Sequence, residues 1–138
     1  MSKATVLFAG AAMVLYAGWA FFAKLATRTV PAEQAVVYTY VAGLVAVGGY
    51  ILLDSGGSVT VTTDGFWLAA VSGLCLGLGT LAYYTALTDG SVGIATSISG
   101  MYLLFATLLG VVFLNESLGK ANIAGIGFAV VAVVLLAQ

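Results

Sequence analysis

The chain has 138 residues, of which 62% are hydrophobic and only 7% charged, and it contains no histidine. A soluble domain of this size carries about 25% charged residues to cover its surface, so the composition points to a chain solvated by a bilayer. A net charge of −1 offers no basic patch for nucleic acid, which excludes that class of partner.

Five apolar stretches fill the sequence at residues 6–26, 35–53, 66–87, 92–114 and 121–137. An α-helix needs about 20 apolar residues to cross the hydrocarbon core. The pattern therefore predicts an all-α polytopic membrane protein of five transmembrane helices, a single domain over residues 1–138. An odd number of spans puts the two termini on opposite faces. The start, Met1-Ser2-Lys3 and an apolar run, superficially resembles a signal peptide. The run from Ala4 to Ala23 is longer than the usual h-region of about 7–15 residues, and it reads instead as a first membrane helix that is retained.

The connections are brief. Thr27–Glu33 joins the first two spans; Pro31 suits the first turn of the second helix, where a missing N–H is harmless, and Glu33 complements that helix's positive end. Residues 54–65 form the one longer connection, and its strand-like Val59-Thr60-Val61-Thr62 is expected to be an extended loop beside the membrane. Thr88-Asp89-Gly90-Ser91 reads as a tight turn, and residues 115–120 make the last connection. Small residues recur every fourth position at Gly73 and Gly77, Ala106 and Gly110, and Ala121, Gly125 and Ala129. Such faces let membrane helices approach closely.

Lys3 and Lys120 fall on one face of the five-span topology, Lys24 and Arg28 on the other. Orientation normally follows an excess of Lys and Arg on the cytoplasmic side, and here there is none. The chain can then insert both ways and pair antiparallel, unless the free N-terminal amine tips the balance.

Glu33, Asp54, Asp64, Asp89 and Glu116 all lie at or beyond span ends. A carboxylate deep in the membrane marks proton relays, and none is present here. No acid–base pair, activated nucleophile or metal set appears, so the chain reads as neither an enzyme nor a holder of a cofactor or metal. Cys75 stands alone within the third span and reads as a small apolar residue.

The candidate substrate-binding residues are the polar and aromatic side chains inside spans: Trp19, Lys24, Tyr83, Tyr84, Thr96, Ser99 and Tyr102. Lys24 sits about one turn inside its span, where it either snorkels to the interface or turns inward to an anionic group. Tyr38, Tyr40 and Tyr50 read as interfacial aromatics. Tyr102 lies mid-span and needs a protein partner or a wet cavity for its hydroxyl.

The run Gly90–Tyr102, the run Leu109–Leu118 with its Glu116-x-Leu118 element, and Ala124-Gly125-Ile126-Gly127 together resemble the repeat unit of the drug/metabolite transporter superfamily, EamA family; Gly18-Trp19 and Lys24-Leu25-Ala26 are similar to its first helix. The chain departs from the family pattern at Leu103, where proline is frequent, and at Tyr40, near a common arginine. Most members carry two five-span units of opposite orientation. The resemblance thus implies a half-size transporter of small metabolites or drug-like solutes, in the cell membrane of a prokaryote, working by alternating access as an antiparallel homodimer. The four-span small multidrug-resistance proteins use a carboxylate in the first helix. Val14–Ala17 occupy the comparable depth here, which disfavours proton-coupled cation export. The alternative reading is a membrane subunit that does not transport and binds a partner.

Overall fold

The computed structural model describes residues 3–54 and 56–136, and all regular structure among them is helical. The elements are α1 (Lys3–Ala26), α2 (Ala32–Asp54), α3 (Thr63–Asp89), α4 (Val92–Gly100), α5 (Tyr102–Leu114) and α6 (Lys120–Leu136). Four segments, Lys3–Ala26, Ala32–Asp54, Thr63–Asp89 and Val92–Leu114, are long and apolar enough to cross a membrane. The 17 residues of α6 span about 25 Å, near the lower limit for a crossing. The sequence end predicted at residue 137 lies outside the described residues.

Polar punctuation ends each helix by a specific device. At the end of α1 the hydroxyls of Thr27 and Thr29 donate to the carbonyls of Lys24 (3.0 Å) and Ala26 (2.9 Å), which satisfies groups a helix end leaves open. Pro31 stands just before α2 rather than within its first turn, and its carbonyl accepts the N–H groups of Gln34 and Ala35. Its ring cannot continue α1, and its carbonyl is free to start α2. Beyond α2, Gly56 and Gly57 take positive φ of 59° and 83°, the left-handed turn that closes helices at glycine. Gly57 donates to the Ile51 carbonyl, and a Cβ there would lie 3.2 Å from a Leu52 methyl.

Residues 58–62 carry no regular structure and belong to no strand. The Thr62 hydroxyl then accepts the Gly65 N–H and caps α3, with Asp64 in the first turn. Ser91 does the same for α4 by accepting the Ile94 N–H at 3.2 Å. The span expected over 92–114 is interrupted at Met101. There Met101 N–H reaches the Ile98 carbonyl and Leu104 N–H the Met101 carbonyl, three residues back in each case. This is a tightened 3₁₀ turn, placed where Gly100 leaves the backbone uncrowded.

The helices form two compact units, α1–α3 through Asp89 and α4–α6 from Gly90. In the first unit α2 packs most extensively on α3, and α1 adds to both. Its buried side chains are Ala20, Ala23, Ala32, Ala35, Val36, Thr80, Tyr83, Tyr84 and Leu87 among the described residues. All come from the end of the unit that carries the α1–α2 turn and the C-terminus of α3. Toward the other end, Phe8, Val14, Leu44, Leu53, Phe66 and Leu74 are exposed. A Cβ added at Gly73 or Gly77 would meet no atom of another helix within 4 Å. Their G-x-x-x-G face is thus open in the chain.

In the second unit α4 packs on α6, and α5 ends at Asn115 in the left-handed region, φ 55°. The Gly110 carbonyl accepts the N–H groups of both Asn115 and Glu116. The reversal folds the Glu116 side chain back over buried Gly110, where an added Cβ would sit 2.6 Å from Oε2. This explains the small residue at 110: it makes room for the carboxylate of the Glu116-x-Leu118 element. The clash is with the tip of a flexible chain. Gly110→Ala is therefore expected to displace the carboxylate with little change in thermal stability, whereas a β-branched Gly110→Val should lower the melting temperature in detergent.

Candidate functional site

The first unit gathers Trp19, Lys24, Tyr83 and Tyr84, which lie on two helices separated by more than fifty residues of sequence. They meet because α1 presents Trp19, Ala20 and Ala23 along one stripe, and α3 presents Thr80, Tyr83, Tyr84 and Leu87 at helical spacing. Trp19 stacks on Tyr83 with ring centroids 5.0 Å apart and planes at 25°. It meets Tyr84 at 5.9 Å and 42°. Tyr83 and Tyr84 pack edge to face at 6.3 Å. Offset and edge contacts of this kind add to simple burial.

The polar atoms of the cluster form a directed chain. Trp19 Nε1–H donates to the Tyr84 hydroxyl at 3.1 Å. Tyr84 Oη and Thr39 Oγ1 are 2.7 Å apart, and Thr39 Oγ1 donates to the Ala35 carbonyl at 2.9 Å. An indole nitrogen only donates. The Thr39 proton goes to Ala35, so Tyr84 must donate to Thr39. One relay therefore ties α1 to α3 and α3 to α2. A second bridge between α2 and α3 runs from the Tyr40 hydroxyl to Thr80 Oγ1, 2.8 Å.

Lys24 reaches across to the end of a neighbouring helix. Its ammonium donates to the Leu87 carbonyl and, at 3.4 Å, to that of Thr88. These carbonyls close α3, the negative end of that helix, where a cation is favoured. Lys24→Met should lower stability by about 1 kcal/mol, in the range for a partly buried charge at a helix terminus, while Lys24→Arg keeps most of it. Thermal unfolding in detergent measures the difference.

An open-sided cleft of about 280 Å³ lies between α1 and α2, over the aromatic cluster. Trp19, Phe22, Tyr38 and Tyr84 supply its aromatic walls, with Ala23, Ala26, Ala35 and Ala42 between them. Thr39 contributes its one hydroxyl, already bonded within the relay. The other three candidates belong to the second unit. Thr96 and Ser99 are exposed on α4, and Tyr102, first residue of α5, is 68% exposed.

Three residues of the first-unit cluster escape the sequence reading: Thr39, Tyr40 and Thr80. Tyr40, read from the sequence as interfacial, is half-buried with its hydroxyl bonded to Thr80. Tyr38 and Tyr50 are exposed, at 61% and 65%. The signal for Thr39 and Tyr40 was their position four residues beyond buried Ala35 and Val36, on the same stripe of α2. Among the described residues no group of three or more His, Cys, Asp or Glu side chains could hold a metal ion.

Long apolar helices, buried hydroxyl bridges between them and charges confined to helix ends define a polytopic α-helical membrane protein. The match to a family model identifies which one: residues 3–138 fit the EamA-like transporter family, and the chain belongs to that family. Its class is accordingly that of membrane transporters. No curated protein and no solved structure matches the chain.

Proposed function

We propose that the chain is a half-size transporter that moves small metabolites or drug-like solutes by alternating access, as an antiparallel homodimer in the cell membrane of a prokaryote. The observation that carries this reading is the family match over residues 3–138, a stretch with four helices long and apolar enough to cross a membrane and a shorter apolar helix after them. Inverted repeats meeting around a mid-membrane site are a general transporter design, and one unit supplies half of that design. The even division of Lys and Arg between the two faces supports insertion in both orientations. The open Gly73 and Gly77 face and the exposed large apolar side chains of α1 to α3 leave ample surface for lipid and a second copy.

The aromatic cleft of the first unit supports a solute contact there, with Trp19 and Tyr84 among its walls; Tyr83, stacked on Trp19, and Lys24, next in sequence to the lining residue Ala23, are proposed as contacts beside it. Thr96, Ser99 and Tyr102 are proposed as contacts on their own account, since they are hydroxyl side chains set within a span. A few polar anchors among apolar walls is the usual small-ligand arrangement. With no carboxylate inside a span, neutral, zwitterionic or anionic solutes are favoured over lipophilic cations. Uptake into proteoliposomes, screened across solutes of different charge, tests the reading. Saturable uptake that requires the protein supports it; no uptake of any class, with folded protein in the membrane, favours a subunit that does not transport. Tyr102→Phe and Ser99→Ala should each reduce uptake by roughly tenfold, the weight of one good hydrogen bond to a bound solute, without lowering the amount of protein in the membrane.

A further inference from the structure

The buried side chains of α1 to α3 all lie at one end of the first unit among the described residues. Four sets of side-chain hydrogen bonds that cross between these helices among the described residues gather at the same end. Trp19 to Tyr84 and Lys24 to Leu87 and Thr88 join α1 to α3, while Tyr84 to Thr39 and Tyr40 to Thr80 join α3 to α2. Toward the opposite end the same helices expose their large apolar side chains. A bundle pinned at one end and open at the other has its freedom at the open end. It can open at the pinned end only if the crossing bonds break.

We propose that this hydroxyl relay is a latch: it holds shut the membrane face that carries the α1–α2 turn, and its rupture opens that face. The inference rests on the transporter reading for its purpose and on the geometry for its location. Tyr84 is the keystone. It is 1% exposed, and its one hydroxyl both accepts from Trp19 on α1 and donates to Thr39 on α2. Losing that hydroxyl removes one crossing bond to each of two helices at once. Thr39 can fall back on its own helix, because its proton already goes to the Ala35 carbonyl four residues earlier. The open form therefore leaves Thr39 satisfied on its own helix. Hydrogen bonds between membrane helices are individually weak, which suits a contact that must break in every cycle.

The test is the accessibility of a cysteine placed beneath the latch. Cys75 is the single cysteine of the chain, so Cys75→Ala followed by Ala35→Cys gives one thiol at a site only 2% exposed. Its reaction with a water-soluble maleimide, in nanodiscs and without any solute, reports opening of that face. Relative to this parent, Thr39→Val should raise the labelling rate about threefold, and Tyr84→Phe about tenfold, following one and two interhelical hydrogen bonds lost. Thr39→Ser keeps the hydroxyl and should restore the slow rate, which separates the latch from any general loosening. Unchanged rates in both Thr39→Val and Tyr84→Phe would overturn the proposal, as would rapid labelling of the parent itself. The outcome is independent of transport. Faster labelling in a protein that moves no solute would keep the latch and remove the transporter reading; transport with unaltered labelling would do the reverse.

Discussion

Tyr84→Ala should be the most damaging single truncation in the first unit, costing about 3 kcal/mol. The ring is 1% exposed and touches Trp19 and Tyr83, while its hydroxyl bonds Trp19 and Thr39. Aromatic-to-alanine changes in cores cost about 3–5 kcal/mol. In a bilayer the lower end applies, since lipid is as apolar as the protein interior and little is gained by mere transfer. What remains is the lost packing around a hole that neighbouring backbones cannot close. Tyr84→Phe keeps the ring and loses only the hydrogen bonds, about 1 kcal/mol in total at the usual membrane magnitudes. Tyr38→Ala removes a side chain of similar size that is 61% exposed, and should stay within about 0.5 kcal/mol of the parent. Denaturant titration of the detergent-solubilised protein gives all three values. A Tyr84→Ala protein as stable as the parent would mean that the aromatic cluster is not the core of this unit.

The same contrast shows what was legible in the sequence. The spans were readable because each is a long apolar run closed by a residue with a mechanical role: Pro31, the Gly56-Gly57 pair, Thr62 and Ser91. The interruption at Met101 was not readable as a break, because a 3₁₀ turn changes two hydrogen bonds and leaves the apolar pattern intact. Trp19, Tyr83 and Tyr84 stood out as large amphipathic side chains inside spans. Thr39 and Thr80 did not, because a threonine in a membrane helix can satisfy itself on the carbonyl four residues back. Thr85 and Thr107 are exposed or half-buried and bond to Leu81 and Leu103 in this way. Thr39 makes the same local bond and also accepts from Tyr84; only the partner helix distinguishes it. Lys24 illustrates the same limit. Its depth in the span was visible, but its target, the end of α3, is a set of backbone carbonyls that no side-chain pattern announces.

Locking the chain in one orientation should abolish transport, and combining the two locked forms should restore it. In the five-span topology expected from the sequence, Lys3 and Lys120 would share one face and Lys24 and Arg28 the other, so the signal that ordinarily fixes orientation would be balanced. Lys24 is moreover bound to the α3 carbonyls, which fixes its charge at the C-terminal end of that helix. A few added lysines then decide the outcome: two beside Lys3 should bring the N-terminus to the cytoplasm, and two beside Arg28 should send it outward. Reporters fused to the C-terminus should signal on both faces for the parent and on one face for each variant. In the proposed antiparallel dimer every working unit needs one copy of each orientation. Either variant alone should fall to background in proteoliposome uptake, and the co-expressed pair should regain it. Full activity from a single locked variant would eliminate the antiparallel homodimer and leave a parallel assembly or a separate partner to complete the transporter. Failure of the pair, with both variants folded and correctly oriented, would show that opposed orientation is not what transport requires.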